Sequence, residues 1–170
     1  MGKIISIANQ KGGVGKTTTA VNLASCLARA KKKTLLVDSD PQANATSGLG
    51  IDKKDVRYSI YDSLIRRLAP SELVIPGGYE DLFLIPSHND LTGAEIELTD
   101  LENRERRLKE ALDQIKNNFD YIVIDAPPSL GLLTVNALVA SDSVLMPIQC
   151  EYYSLEGLTQ LLNTIERVRS

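Results

Sequence analysis

The run Gln10-Lys11-Gly12-Gly13-Val14-Gly15-Lys16-Thr17-Thr18 restricts this chain more than any other stretch. Ahead of it, Lys3-Ile4-Ile5-Ser6-Ile7-Ala8 is short, β-branched and apolar, which predicts a buried strand. Behind it, Thr19–Ala28 sets Val21, Leu23, Ala24, Leu27 and Ala28 on one helical face. A strand, a glycine-rich loop and a helix opened by Gly-Lys-Thr make a phosphate-binding loop. Gly12, Gly13 and Gly15 let backbone N–H groups, those of Val14 and Thr18 among them, close around a polyphosphate without interference from a Cβ. The helix beginning near Lys16 aims its positive end at the same anion. Lys16 then reaches the β- and γ-phosphates, and the Thr17 hydroxyl is placed to ligate Mg²⁺.

Two further blocks end in carboxylates. Thr34-Leu35-Leu36-Val37-Asp38 reads as a buried strand that runs into Ser39-Asp40-Pro41-Gln42-Ala43-Asn44. In isolation Asp38 and Asp40 would fit a solvated Asx-Pro turn. Beside a nucleotide site they are suited to orient water or to hold metal-bound water. Phe119-Asp120-Tyr121-Ile122-Val123-Ile124-Asp125 is a hydrophobic strand delivering Asp125 to its C-terminal end, ahead of Ala126-Pro127-Pro128-Ser129. Leu82–Pro86 and Ser143–Ile148 add two more buried strands, with helical segments between. Alternating strands and helices predict an α/β fold, a mostly parallel β-sheet flanked by helices on both faces, with ligands at the strands' carboxyl ends.

These residues resemble a known family. The usual phosphate-loop pattern has glycine where Gln10 stands, and a second lysine, Lys11, follows at once. That form resembles the deviant Walker A motif of the ParA/MinD superfamily of P-loop NTPases. Val37–Thr46, reading Val-Asp-Ser-Asp-Pro-Gln-Ala-Asn-Ala-Thr, is similar to the ParA/Soj group of partition ATPases; MinD-type proteins carry a Gly-Leu-Arg-Asn-like run there. The resemblance implies a slow ATPase working with ATP and Mg²⁺ as a homodimer that sandwiches the nucleotides. It assigns Lys11 to the partner's phosphates, Asp40 to hydrolysis, and Thr17, Asp40 and Asp125 to the metal. The catalytic set is then Lys11, Lys16 and Asp40, and Ala126-Pro127-Pro128 acts as a nucleotide-responsive switch. Asp38 is assigned around the metal rather than on it, and Glu151 to the dimer face. Implied partners are a second copy, a ParB-like stimulating protein and non-specific DNA, in the cytoplasm and on the nucleoid when ATP is bound. Family domains continue beyond the equivalent of Ser170, so residues 1–170 are expected to form one domain lacking its last strands and helices.

Composition narrows the classes. A chain of 170 residues with 43% apolar and 24% charged residues suits one globular domain. The net charge of −3 confines any nucleic-acid surface to a local patch. No apolar run suggests a membrane partner. Met1-Gly2-Lys3-Ile4-Ile5-Ser6 matches the N-myristoylation pattern, yet these residues are needed for the first strand. Cys26 and Cys150 lack metal or redox spacing and are expected in the core. The lone His88 lies in a predicted loop and is expected to be structural.

The remaining segments read as follows. Lys31-Lys32-Lys33 suits the C-terminal end of the first helix and a solvated turn. Tyr58–Ile65 is expected to be a short helix with Arg66 and Arg67 on its solvent side, and Thr92-Gly93-Ala94-Glu95 fits a capping box opening another. In the charged segment Glu102–Glu110, Arg104, Arg106 and Arg107 are expected on a solvated face, above a buried stripe of Leu108, Leu112, Ile115 and Phe119. The last helix sets Leu155, Leu158, Leu161, Leu162, Ile165 and Val168 on one face. Alternatives to the partition switch are a metabolic P-loop enzyme of the dethiobiotin-synthetase kind and a MinD-like positioning ATPase. An iron protein would need a cysteine close after Asp125-Ala126-Pro127, where there is none.

Overall fold

In the computed structural model, residues 2–149 and 154–169 are described. Cys150 and Glu151 lie outside them. The chain forms β1 (Lys3–Ile7), α1 (Lys16–Arg29), β2 (Thr34–Asp38), α2 (Asn44–Gly48), α3 (Ile60–Leu64), β3 (Ile75–Pro76) and β4 (Leu82–Ile85). There follow α4 (Leu91–Thr99), α5 (Arg107–Ile115), β5 (Tyr121–Asp125), α6 (Leu132–Ala140), β6 (Ser143–Leu145) and α7 (Ser154–Arg169). The six strands make one sheet in the order β3-β4-β2-β5-β1-β6. All pairings are parallel except that of the two-residue edge strand β3 with β4.

The central strands are apolar through their middles because both faces of the sheet are covered. On one face Ile4, Leu35, Val37, Ile85, Ile122 and Ile124 pack with residues of α4, α5 and α6, among them Leu98, Leu112 and Leu133. On the other, Ile7, Leu36, Leu84 and Val123 meet Ala20, Ala24 and Ala28 of α1. Those alanines recur every fourth residue, so the helix has a narrow, small-residue face that lies close on the strands. Ser6 points to the first face, where its hydroxyl donates to the Ala137 carbonyl at 2.9 Å. Gly2 is buried at the foot of β1, and a Cβ there would come within 2.4 Å of the Phe119 carbonyl oxygen. This agrees with its reading as part of the first strand's packing.

Several expectations need correction. Cys26 is exposed on α1, because the narrow alanine face already fills the contact with the sheet. The helix around Thr92 begins one residue earlier, at Leu91 after Asp90, so Thr92 lies inside it and no capping box forms. The charged segment enters α5 only at Arg107, and Arg107 is buried, its Nη1 donating to the Leu64 carbonyl at 3.0 Å. The guanidinium thus joins α3 to α5 instead of facing solvent, whereas Arg104 and Arg106 are exposed. Leu108, Leu112, Ile115 and Phe119 form the buried stripe as expected. Leu161, Ile165 and Val168 of α7 join the core, but Leu162 turns outward.

The N-terminus of α5 has no side-chain cap of its own. Asn136, fully buried on α6, supplies one from a distance: its Oδ1 accepts from the Leu108 N–H at 3.0 Å. Its Nδ2 donates to the Arg104 carbonyl at 2.7 Å and to the Leu132 carbonyl at 2.9 Å. Removing the amide strands a buried donor and acceptors that helices alone do not satisfy. Asn136→Ala is therefore expected to destabilise the chain by about 2–4 kcal/mol in urea unfolding monitored by circular dichroism, and Asn136→Asp, which sets a buried carboxylate against two carbonyl oxygens, by at least as much.

Candidate functional site

The sheet registers decide what meets at its carboxyl edge. Asp125 at the end of β5 is the cross-strand neighbour of Ile7 on β1 and of Asp38 on β2. The loop leaving β1 and the loop leaving β2 therefore open side by side, with the Asp125 carboxylate between them. Lys16, Asp40 and Asp125 come together as the sequence predicts, and Asp125 and Asp40 both act on the Lys16 ammonium.

The glycine loop adopts the conformation that its composition permits. Gly13 and Gly15 have φ of 74° and 88°, in the left-handed region. Open space lies over Gly12, Gly13 and Gly15, where an added Cβ would meet nothing within 4 Å. Gly15 precedes α1 without a side-chain cap, so the first N–H groups of this 14-residue helix turn into the loop. Val14 is buried beneath the loop, Thr17 is half-buried and Thr18 is exposed. Lys16 is buried and its Nζ donates to the Lys11 carbonyl at 3.1 Å. Burial lowers its pKa, and the negative charges of Asp125 and Asp40 pull it back up.

Lys11 is half-buried, and its backbone is gripped from both sides. Its N–H donates to Asn9 Oδ1 at 3.0 Å, while Asn9 Nδ2 donates to the Pro147 carbonyl at 2.8 Å beyond β6. Gln149 Nε2 reaches the Gly13 carbonyl at 3.2 Å. Asn9 and Gln149 are absent from the residues that the motif identifies. An asparagine two residues ahead of a glycine turn was the one available signal, since its side chain commonly bonds the backbone two residues on.

Asp125 is the least hydrogen-bonded of the buried acids in the site. It is fully buried, and neither carboxylate oxygen has a formed hydrogen bond. Burial raises its pKa to about 7; the nearby Thr17 hydroxyl lowers it, the charges of Asp38 and Asp40 raise it, and Lys16 lowers it again. A hard divalent cation fits these groups, because Mg²⁺ takes one or two carboxylates, hydroxyl and water oxygens and the phosphates of its nucleotide. Among the described residues no three His, Cys, Asp or Glu side chains converge on a metal by themselves. Thr17 and Asp125, with Asp40 beside them, are the groups that would face a cation arriving with phosphates.

Asp38 has a different part. Its Oδ2 accepts from the Thr46 N–H at 2.8 Å and from Thr46 Oγ1 at 2.7 Å, and its Oδ1 from the Asp40 N–H at 3.2 Å. Burial raises its pKa to about 6, against the opposing pull of the Thr46 hydroxyl. Both oxygens are occupied by the protein itself, so Asp38 shapes the loop. Asp40 Oδ1 accepts from the Gln42 N–H at 2.9 Å. His88 is half-buried in the loop after β4, within 3.3 Å of Asp90. No described helix is long and apolar enough to cross a membrane.

The comparisons with known proteins agree with this geometry. A family model described as an AAA domain matches residues 2–170. The chain is 60% identical to the sporulation initiation inhibitor protein Soj of Bacillus subtilis over 99% of its own length and 67% of that protein's. It is 57% identical to the chromosome partitioning protein ParA of Myxococcus xanthus, over 99% of itself and 60% of that protein. A crystal structure named cobyrinic acid a,c-diamide synthase from Mycobacterium smegmatis, with bound ATP analogue and magnesium, superposes with a TM-score of 0.93 at 39% identity. That match covers 99% of this chain and 69% of the other. The chain thus spans 67% and 60% of the lengths of these Soj and ParA relatives.

The titration of Asp125 gives a stability test. Its pKa is raised from 3.8 to about 7 on folding, so between these values the folded chain holds a proton that the unfolded chain has lost. Stability therefore falls as pH rises through that window. Asp125→Asn, which has no charge to bury, is expected to be more stable than the wild type at pH 8 by about 1–3 kcal/mol, the gap closing toward pH 5. Calorimetry without nucleotide at the two pH values checks it; the same difference at both would contradict a buried, unpaired carboxylate.

Proposed function

Since this chain belongs to the ParA/Soj family of AAA-domain proteins, we propose that it binds ATP with Mg²⁺ between two copies of itself and hydrolyses it as a switch for DNA partition. The observation that carries this reading is the junction of the glycine loop, Lys16, Thr17, Asp40 and the buried carboxylate of Asp125 at one sheet edge. The N–H groups of Gly12, Gly13, Val14, Gly15, Lys16, Thr17 and Thr18 take up the triphosphate. Lys16 exchanges the Lys11 carbonyl for β- and γ-phosphate oxygens. Thr17 would hold Mg²⁺, with Asp125 and Asp40 as the acids nearest to it, and the ion would supply positive charge to the phosphate oxygens.

Asp40 orients the attacking water, and Lys11 stabilises the γ-phosphate charge of the partner copy. A cation supplied in trans contributes about 10³–10⁵ in rate in related phosphoryl transfers. Loss of the γ-phosphate removes the contacts that hold the two copies and the segment Ala126-Pro127-Pro128 in place, since the stiff prolines swing between discrete positions. Turnover is slow until a ParB-like protein stimulates it, and the ATP-bound dimer associates with non-specific DNA on the nucleoid.

The solved structure named as a cobyrinic acid diamide synthase raises an amide-forming alternative at 39% identity. Higher identity to Soj and ParA, together with Val37–Thr46, favours partition. ATP-dependent sedimentation with and without DNA separates the readings. Lys16→Ala is expected to lose nucleotide binding by at least about tenfold, while Lys11→Ala retains binding but neither dimerises nor hydrolyses. Equal nucleotide affinity in all three proteins contradicts the site, and ADP release driven by a small carboxylic acid without DNA favours amide formation.

A further inference from the structure

Thr46 and Ser87 are completely buried beneath the loop that presents Asp40, on α2 and just beyond β4. Ser87 lies in none of the sequence motifs, and Thr46 closes the Val37–Thr46 run without a role of its own. We propose that Ser87 and Thr46 are positioning residues that hold Asp40 in its hydrolytic placement through a hydroxyl chain anchored on Asp38. The assignment rests on the ATPase reading above.

The chain of bonds has one possible direction. The Ser87 N–H can only donate, and it donates to Thr46 Oγ1 at 3.1 Å. The Thr46 hydroxyl therefore accepts there and spends its own proton on Asp38 Oδ2, at 2.7 Å. The Ser87 hydroxyl faces the Asp40 carbonyl at 2.7 Å, which can only accept. Asp38 Oδ1 takes the Asp40 N–H at 3.2 Å. Both peptide groups of Asp40 are thus fixed, the N–H by Asp38 and the C=O by Ser87.

The placement of the Asp40 side chain follows from this grip. Its carboxylate accepts from the Gln42 N–H, and its carbonyl also accepts from the Ala43 N–H at 2.9 Å. Ala43 itself sits at φ 51°, a left-handed conformation that a non-glycine residue adopts at a cost. Without the Ser87 hydroxyl, the turn can relax that conformation, and Asp40 moves with it. A displacement near 1 Å of a group that orients water is worth up to about a hundredfold in rate. Most buried side-chain hydroxyls bond a backbone group or water. This one bonds to the residue assigned to hydrolysis, from 47 positions away.

The test uses the 170-residue chain. Ser87→Ala and Thr46→Val are each expected to lower kcat by about ten- to a hundredfold, with affinity for a fluorescent ATP analogue within about twofold of wild type. Thr46→Ser, which keeps the hydroxyl, restores most of the rate. In an Asp40→Ala background, adding Ser87→Ala changes turnover by less than about twofold, because residues acting as one unit are non-additive. Hydrogen exchange gives a readout independent of turnover: the Gln42 and Ala43 amides exchange faster in Ser87→Ala, while those of Val37 and Ile124 keep their protection.

Full turnover in Ser87→Ala overturns the assignment, as does an undiminished loss in the Asp40→Ala background. So does affinity falling in step with kcat, or Thr46→Ser behaving like Thr46→Val. If the wild type binds ATP without hydrolysing it, the ATPase reading fails instead. Exchange at Gln42 and Ala43 then still decides whether the latch exists, and unchanged exchange in Ser87→Ala overturns it.

Discussion

The register of three parallel strands governs the carboxyl edge of this sheet. With Ile7, Asp125 and Asp38 as cross-strand neighbours, the last residue of β5 has to stand between a glycine loop and an acidic loop. A slip of one residue would exchange Val123 with Ile122 and Ile124, whose side chains pack against opposite layers of helices. The hydrophobic core therefore fixes the position of charge. Leu36 and Val123 on one face, and Leu35, Val37 and Ile124 on the other, lock the strands so that no freedom remains in where Asp125 ends up. Packing sets the electrostatics, although the charges contribute nothing to packing.

The consequence is a cluster that is unfavourable by itself. Asp38, Asp40 and Asp125 share a small buried volume with a single buried cation, Lys16. The mutual repulsion of the acids adds to burial in raising the Asp125 pKa, and Lys16 offsets only part of it. Lys16 in turn is held at the mouth of the loop by the Lys11 carbonyl. A ligand that brings polyphosphate and a divalent cation together would satisfy both sides, its anion meeting Lys16 and the helix N–H groups and its cation meeting the acids. The arrangement makes sense as half of a larger neutral cluster.

The strand–loop–helix unit and the two acid-ended strands were legible because their signals are local: glycine spacing, β-branched runs and a carboxylate after four apolar residues. Elements whose identity depends on distant partners were not. Arg107 reads as one of several surface arginines, and only the fold reveals that the Leu64 carbonyl, 43 residues earlier, draws it inward. Asn136 sits in a plainly apolar helix and looks like a misplaced polar residue until the uncapped start of α5 is seen against it. By residue type Cys26 belongs in the core, yet the helix has enough alanine on its inner face to leave the thiol in solvent. Thr92 matched a capping pattern that the backbone does not use, since the turn at His88–Asp90 already opens α4.

The positions that violate local rules point the same way. Among the described residues, five non-glycine positions have positive φ: Lys31, Ala43, Arg67, Asp81 and Asn103. Only Ala43 of these is buried, and it lies three residues after Asp40. The others stand at surface turns, where a left-handed residue ends a helix or a hairpin with little consequence. A buried alanine in that conformation persists only when its surroundings over-determine it: its N–H is held by the Asp40 carbonyl and its carbonyl by Ser47, while Asp38 and Ser87 fix Asp40 in turn. The same loop thus holds strain, buried acids and a hydroxyl chain with a single direction. Stability alone would favour replacing all three, so their presence together at the mouth of a phosphate loop argues that the cost is borne to keep one carboxylate in place.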